Sequence, residues 1–321
     1  MEANFMQEHG WQVSRRDLAD RRGVTLVETL VVVAVIGGVA SLLLPAINQA
    51  RESARAMTCQ NNLKQIGIGL HGFHVARDSF PANVSGNGAR YYWTAQILPY
   101  VEENQLASIY DYTTACNDIK NQTAVQTPLG FMCCPSNPGG RLQDPNFKKT
   151  GSPTWGAAAA DYASPTGPSV SQWTSSPASV SYPQPASIEG MIKKGTVKPG
   201  VKGRRMSEIT DGTSRSIAVI ESAGRPQIWN SGKKTADSGV PLCAWADTNQ
   251  FDVRGFQADA SKTFGPQMIN GGNNYGIYAF HPGGAQLLFA DGSVRFVVES
   301  TSADIVAALL TVRGLDAVTV P

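Results

Sequence analysis

His281 is followed, after nine intervening residues, by Asp291 and then Gly292, and a histidine steered by a carboxylate can move protons. The spacing argues against such a dyad. If residues 285–290 are extended, six steps of about 3.3 Å put the two side chains roughly 20 Å apart, at opposite ends of a strand. A dyad needs about 3 Å. The expected roles are therefore structural: Asp291 bonds its own turn, Gly292 takes a positive φ, and His281 anchors the turn at the other end. His71 and His74, three residues apart, could hold a metal from one helix face, but no third ligand stands nearby and they read as helix-surface histidines. The five cysteines are Cys59, Cys116, Cys133, Cys134 and Cys243. In an oxidising compartment they are candidates for disulfides, with one thiol left over within the chain and the pairing open. Cys133 and Cys134 are adjacent and have no matching cluster elsewhere, so no zinc site is expected. Nucleophile elbows, Walker loops and H-E-x-x-H are missing from the sequence, and no enzyme is read from it.

The remaining chemical oddity is Glu28. It precedes 22 residues without charge, Thr29 to Ala50. As a helix these span roughly 33 Å, about the hydrocarbon thickness of a bilayer. A carboxylate in such a segment costs about 2.5–3.5 kcal/mol at the centre and less near an interface, so it calls for a partner. A cleaved secretory signal has a shorter apolar region and a small-residue cleavage site, and neither fits. A plain signal anchor would explain the hydrophobicity but not Glu28. The residues ahead of the run are polar, with Arg15, Arg16, Arg21 and Arg22 softened by Asp17 and Asp20, and they end at Gly23. Arg51, Arg55 and Lys64 follow the run and nearly balance those arginines, so charge alone gives no orientation.

The segment Gly23-Val24-Thr25-Leu26-Val27-Glu28 resembles the cleavage and methylation site of type IV prepilins and pseudopilins. That resemblance implies a membrane peptidase that cuts after Gly23 and methylates the new amine of Val24. Val24 departs from the phenylalanine common there in pilins. Glu28 would then be the fifth residue of the mature chain, one helical turn from a cationic amine, and in a filament its carboxylate would neutralise the amine of a neighbouring subunit. A buried pair of this kind sets register better than it adds stability. The resemblance also implies a single-pass inner-membrane protein, N-terminus cytoplasmic and head extracytoplasmic, that later joins a filament or the cell surface. Its implied partners are prepilin peptidase, a pilus or secretion assembly machinery, the membrane, and copies of itself or related subunits. Pro45 lies near the end of the span, where it can kink the rod, and Gly37 and Gly38 offer a soft point or a close-packing face.

Elements must position these residues. Cys59, Leu63, Ile66, Leu70 and Phe73 step by 4, 3, 4 and 3, which is one stripe of an amphipathic helix, ending before Phe80-Pro81. The expected organisation is a leader over 1–23, a long helix over 24–79 that is transmembrane to about 47, and a globular β-rich head over 80–321. The fold class is α+β, with the helix packed on an antiparallel sheet that carries long loops, as in pilins. Formal net charge is +2 with no basic patch interleaved with aromatics, so nucleic acid is not an expected partner. Residues 102–110 read as a helix with Leu106, Ile109 and Tyr110 inward. Gly151–Pro185, rich in Gly, Pro and Ser, reads as surface loops pinned by Trp155, Tyr162 and Trp173. Residues 190–203 and 214–222 read as strands, the second after an Asp211-Gly212 turn. Residues 275–298 read as a three-run antiparallel meander with Val294, Phe296 and Val298 on its inner face.

That last segment carries a second resemblance. His281 with Asp291-Gly292 matches the H-x9-D-G element of a large group of prepilin-like bacterial proteins catalogued as a domain of unknown function, class 1559. "CQNNLKQIGIGLHGFH", "LPYVEENQL", "FMCCPSNP" and "SEITDGTSRSIAVIES" match the same group. The reading favoured is a structural subunit drawn into a type IV pilus or secretion pseudopilus. The alternatives are a surface-binding module on a pilin-like stem, gripping a glycan or protein, and an anchored hydrolase. No cofactor is expected. Calcium is carried as a weak candidate because loop carboxylates hold it in some pseudopilins, although no EF-hand spacing is present.

Overall fold

A computed structural model describes residues 24–140, 143–145, 147, 155–174, 184, 187–193 and 197–314. The leader over 1–23, with Gly23, lies outside the described residues, as does much of the loop segment between 148 and 186. The chain divides into two units, Met1–Arg51 and Glu52–Pro321.

Helix α1 (Leu26–Arg77) enters both units and is long and apolar enough to cross a membrane. Its helical assignment runs unbroken through Pro45. In the first unit every described side chain is exposed. A Cβ added at Gly37 or Gly38 would meet nothing within 4 Å, so neither glycine serves packing inside the chain.

In the second unit the stripe foreseen from spacing is the buried one: Cys59, Leu63, Ile66 and Leu70 are inaccessible, and Phe73 packs at the margin of the same cluster. Close approach is built into the helix at Gly69, where a Cβ would lie 2.6 Å from Val101 Cγ1. Short helices α2 (Trp93–Ile97) and α3 (Asn104–Ile109) supply Trp93, Ile97 and Leu106 to this core. Tyr110 is also buried, but Ile109, expected inward, is exposed, because α3 ends at Ile109 and Tyr110 is already extended.

The main sheet has five strands: β1 (Tyr162–Pro168), β2 (Ile217–Glu221), β3 (Gln250–Val253), β4 (Gly284–Phe289) and β5 (Val294–Val298), in the order β5-β4-β2-β1-β3. The ladders are antiparallel except β1 with β3, which is parallel. Side chains of β4 alternate as a strand's must. Leu288 faces the cluster of Leu63, Ile66 and Leu70. Ala285, Leu287 and Phe289 face Val306 and Leu309 of α4 (Ala303–Leu309). The sheet is thus covered by helix on both faces, and the fold is α+β.

Several sequence expectations are corrected. Strand β1 runs through the stretch read as loops; its prolines fall where it has left β2 and keeps one ladder, with β3, so a missing N–H breaks no central bond. The aromatics do pin that stretch: Trp155 and Tyr162 are buried and Trp173 packs on the α4 cluster. Among the described residues of 190–203 there is no strand, only a bridge between Val197 and Val84. Residues 275–280 form isolated parallel bridges, Ile277 with Ile269 and Tyr278 with Ser222, not a third antiparallel run. The backbone there turns, with Tyr275 at φ +62 and Gly276 pressed on Gly272. The β4–β5 hairpin forms as expected, but Phe296 and Val298 are exposed and only Val294 of that trio is buried; on this edge strand Val297 packs instead with the α4 cluster.

Candidate functional site

Two places bring chemical groups together. At the start of α1, the Thr25 backbone N–H donates to Glu28 Oε2 (2.8 Å), and the Thr25 hydroxyl donates to the same oxygen (2.9 Å). The Glu28 N–H in turn donates to Thr25 Oγ1 (3.2 Å). This is a capping box, which satisfies donors that a helix start leaves without partners. The Thr-x-x-Glu pattern was visible in the sequence and gives Glu28 a local role not read from it. Val24 and Glu28 are both exposed.

The second place is buried in the head unit. Cys59 from α1, Cys134 from the segment before β1, Glu221 at the end of β2 and His281 ahead of β4 present one ligand atom each, all within 4.8 Å of one another. Helical spacing puts Cys59 one turn before Leu63 on the inward stripe. Cys134 is held by its backbone: its N–H donates to Asp161 Oδ2 (2.7 Å), and Asp161 also accepts from Asn137 Nδ2 (3.0 Å) and Gly224 N (2.9 Å). Burial pushes the Asp161 carboxyl up to about 6 against those donors. Glu221 is fully buried; its Oε2 accepts from Gln286 N (3.2 Å), while Oε1 lies 3.4 Å from His281 Nε2. The other ring nitrogen, Nδ1, is 2.8 Å from Glu52 Oε1. Ser136 Oγ also donates to that oxygen (2.8 Å).

His281 is therefore clasped between two carboxylates. Burial disfavours its charge, but the bonds to the Cys59 sulfur and to Glu221 prevail and raise it to about 11. Burial raises the Glu52 carboxyl, yet the hydrogen bonds from Ser136 and His281 leave it below its ordinary value. The two sulfurs are 2.7 Å apart. Their titrations oppose one another: the bond from Cys134 lowers the Cys59 thiol to about 7, while that same bond and burial drive Cys134 upward. Such a centre can hold charge, bond sulfur to sulfur, or offer mixed donors to a soft metal.

The other sequence candidates stand apart from this centre. Asp291 Oδ1 accepts from Ser293 N (2.8 Å), and Gly292 has φ +81, so that turn is built as expected. His281 is not a simple turn anchor; the expectation missed its partners because Glu52, Cys134 and Glu221 lie between 60 and 229 positions away along the chain. His71 and His74 flank the Phe80 ring, at 5.7 and 4.6 Å between centroids. Burial, with His74 nearby, lowers His71. Cys116 and Cys243 are buried and separate from the centre, and burial raises both, Cys116 to about 12.

Residues 48–304 match the family described as "Protein of unknown function (DUF1559)", and the chain belongs to that family. No curated protein and no solved structure gives a significant match. The four residues of the buried centre and Glu52 beside them lie inside the matched span, and Val24 to Glu28 lie before it.

Proposed function

We propose that this member of the DUF1559 family is a membrane-held, pilin-like structural subunit, cut after Gly23, methylated on Val24, and drawn through α1 into a pilus or secretion pseudopilus. One observation carries the reading. Fourteen large apolar side chains between Val24 and Ile47 are 46% to 78% exposed, and the segment holds a single carboxylate, Glu28, at its beginning. That much apolar surface requires lipid or other helices as its environment. In lipid the carboxylate is satisfied by Thr25 within its own turn; in a filament the amine of an adjacent Val24 can take it as a partner. The head faces the extracytoplasmic side in this reading, and the peptidase and assembly machinery are the partners.

The test is Glu28→Ala in cells that assemble the native protein. The variant should stay in the membrane with a head of unchanged stability and be lost from sheared filaments or assembly complexes. Assembly at the native level contradicts the reading.

A second reading, a surface-binding module, is favoured by one feature. A cleft of about 520 Å³ is lined by Phe73, Tyr91, Tyr100 and Tyr112 with Arg77 and Lys202 at hand. Aromatic faces with a few polar groups suit a sugar or a peptide. Binding to glycan or protein arrays by residues 52–321, reduced by Tyr100→Ala, would favour it. The fragment must start at 52 and not at 80, because Leu63, Ile66 and Leu70 belong to the head's core.

A further inference from the structure

We infer that Cys59 and Cys134 form a disulfide that fastens the inner half of α1 to the segment leading into β1. The two sulfurs, 75 positions apart in sequence and both buried, lie 2.7 Å from one another, well inside the contact distance of unbonded sulfur atoms. A bonded pair sits at about 2.05 Å. Two thiolates on a tetrahedral zinc ion, each about 2.3 Å from it, would be roughly 3.7 Å apart. The observed separation is nearer the bond.

The neighbouring groups point the same way. His281 Nδ1 is hydrogen-bonded to Glu52 Oε1 at 2.8 Å and Nε2 lies at ion-pair distance, 3.4 Å, from Glu221 Oε1, so a ring carrying a proton on each nitrogen is the form that suits both carboxylates. A metal would need the Nε2 lone pair in place of that proton. It would also gather two thiolates and the buried Glu221 around a dication, leaving a net negative charge beside the buried Asp161. With the sulfurs bonded and neutral, the charges that remain are Glu221, His281, the half-buried Glu52 and Asp161, the last held by three N–H donors, and the histidine compensates the buried Glu221.

Formation needs an oxidant, here a disulfide of the glutathione or protein-oxidant class. One cysteine thiolate attacks it, giving a mixed disulfide and releasing one thiol. The second thiolate then attacks the cysteine sulfur of that mixed disulfide and expels the other thiol. Two cysteine protons and two electrons leave the chain, and the oxidant is reduced to two thiols. The stability gained grows with the length of chain closed. The inference rests on the proposed function only for the compartment that supplies the oxidant.

The experiment uses the full chain, from native membranes and after purification in detergent. Free thiols are alkylated under acid quench, and the protein is digested and analysed by mass spectrometry. The native protein should yield a peptide joining Cys59 to Cys134, with Cys116, Cys133 and Cys243 alkylated once unfolded. Reductant should lower its melting temperature by about 5–15 °C. The Cys59→Ala/Cys134→Ala protein should show no response to reductant, while Cys133→Ser keeps the full shift. If native thiols are free but the same pair links under glutathione disulfide, the pairing stands and the extracytoplasmic placement fails. No link under either condition overturns the pairing. One equivalent of zinc retained through dialysis and lost in Cys59→Ala also overturns it, in favour of a metal centre.

Discussion

Between Leu26 and Arg51 helix α1 exposes every side chain it has, whereas between Cys59 and Leu70 the same helix buries one stripe and exposes the others. The carboxylates follow the division. Glu28 bonds within its own turn, to Thr25; Glu52 reaches His281 and Ser136, over 80 positions away in sequence. Helical propensity is common to both halves, so it does not decide their roles. What differs is where the apolar surface finds a partner: inside the chain for one, outside it for the other. A stripe with period 3.6 marks a helix that meets a protein core on one side, and apolar residues all round mark a helix whose whole circumference meets apolar surroundings.

Substitutions can break that contrast. The largest effect is expected at the buried centre. His281→Asn leaves the Glu221 carboxylate buried without a counter-charge and should cost about 3–5 kcal/mol in urea unfolding of residues 52–321. Glu28→Ala in the full chain should leave the head's unfolding midpoint in place. The same histidine sets a pH dependence. Its folded pKa is raised above the roughly 6.5 of an unfolded histidine, and with Cys59 in a disulfide it is the carboxylates of Glu221 and Glu52 that sustain the rise, so the folded state holds the extra proton above that value. Its contribution is complete below about pH 6.5 and is lost as pH rises through the folded value. Unfolding midpoints measured from pH 6 to 10 should fall for the native protein and flatten for His281→Asn.

Next in size are the apolar stripes. Leu63→Ala or Ile66→Ala should each destabilise the head by about 2–5 kcal/mol, through lost burial and the cavity left. Val32→Ala or Val35→Ala in the outer half should change head stability by less than about 0.5 kcal/mol. The smallest contrast is among glycines. Gly69→Ala drives a methyl against Val101 and should cost about 1–3 kcal/mol. Gly38→Ala meets open space and should stiffen the helix without touching the head.

Where a feature is local it was readable. The 4-3-4-3 stripe, the β4–β5 hairpin and the Asp291-Gly292 turn each follow from spacing and turn chemistry within fifteen residues. Strand β1 was hidden by its prolines and glycine, tolerated because the strand keeps a single ladder at that point. The buried centre was hidden for another reason: its residues come from positions 52, 59, 134, 221 and 281, and no periodicity connects them. A signal did exist. Cys59, Cys134, Glu221 and His281 each sit in a different stretch resembling the same protein group, and those stretches converge on one point in the fold.

The outer half of α1 has the most direct test. The full-length protein should be extracted from its native membrane and its intact mass and N-terminal sequence determined. The account predicts a chain that begins at Val24 and carries a methyl group on its α-amine. A chain that still begins at Met1, with Arg15, Arg16, Arg21 and Arg22 in place, would contradict it.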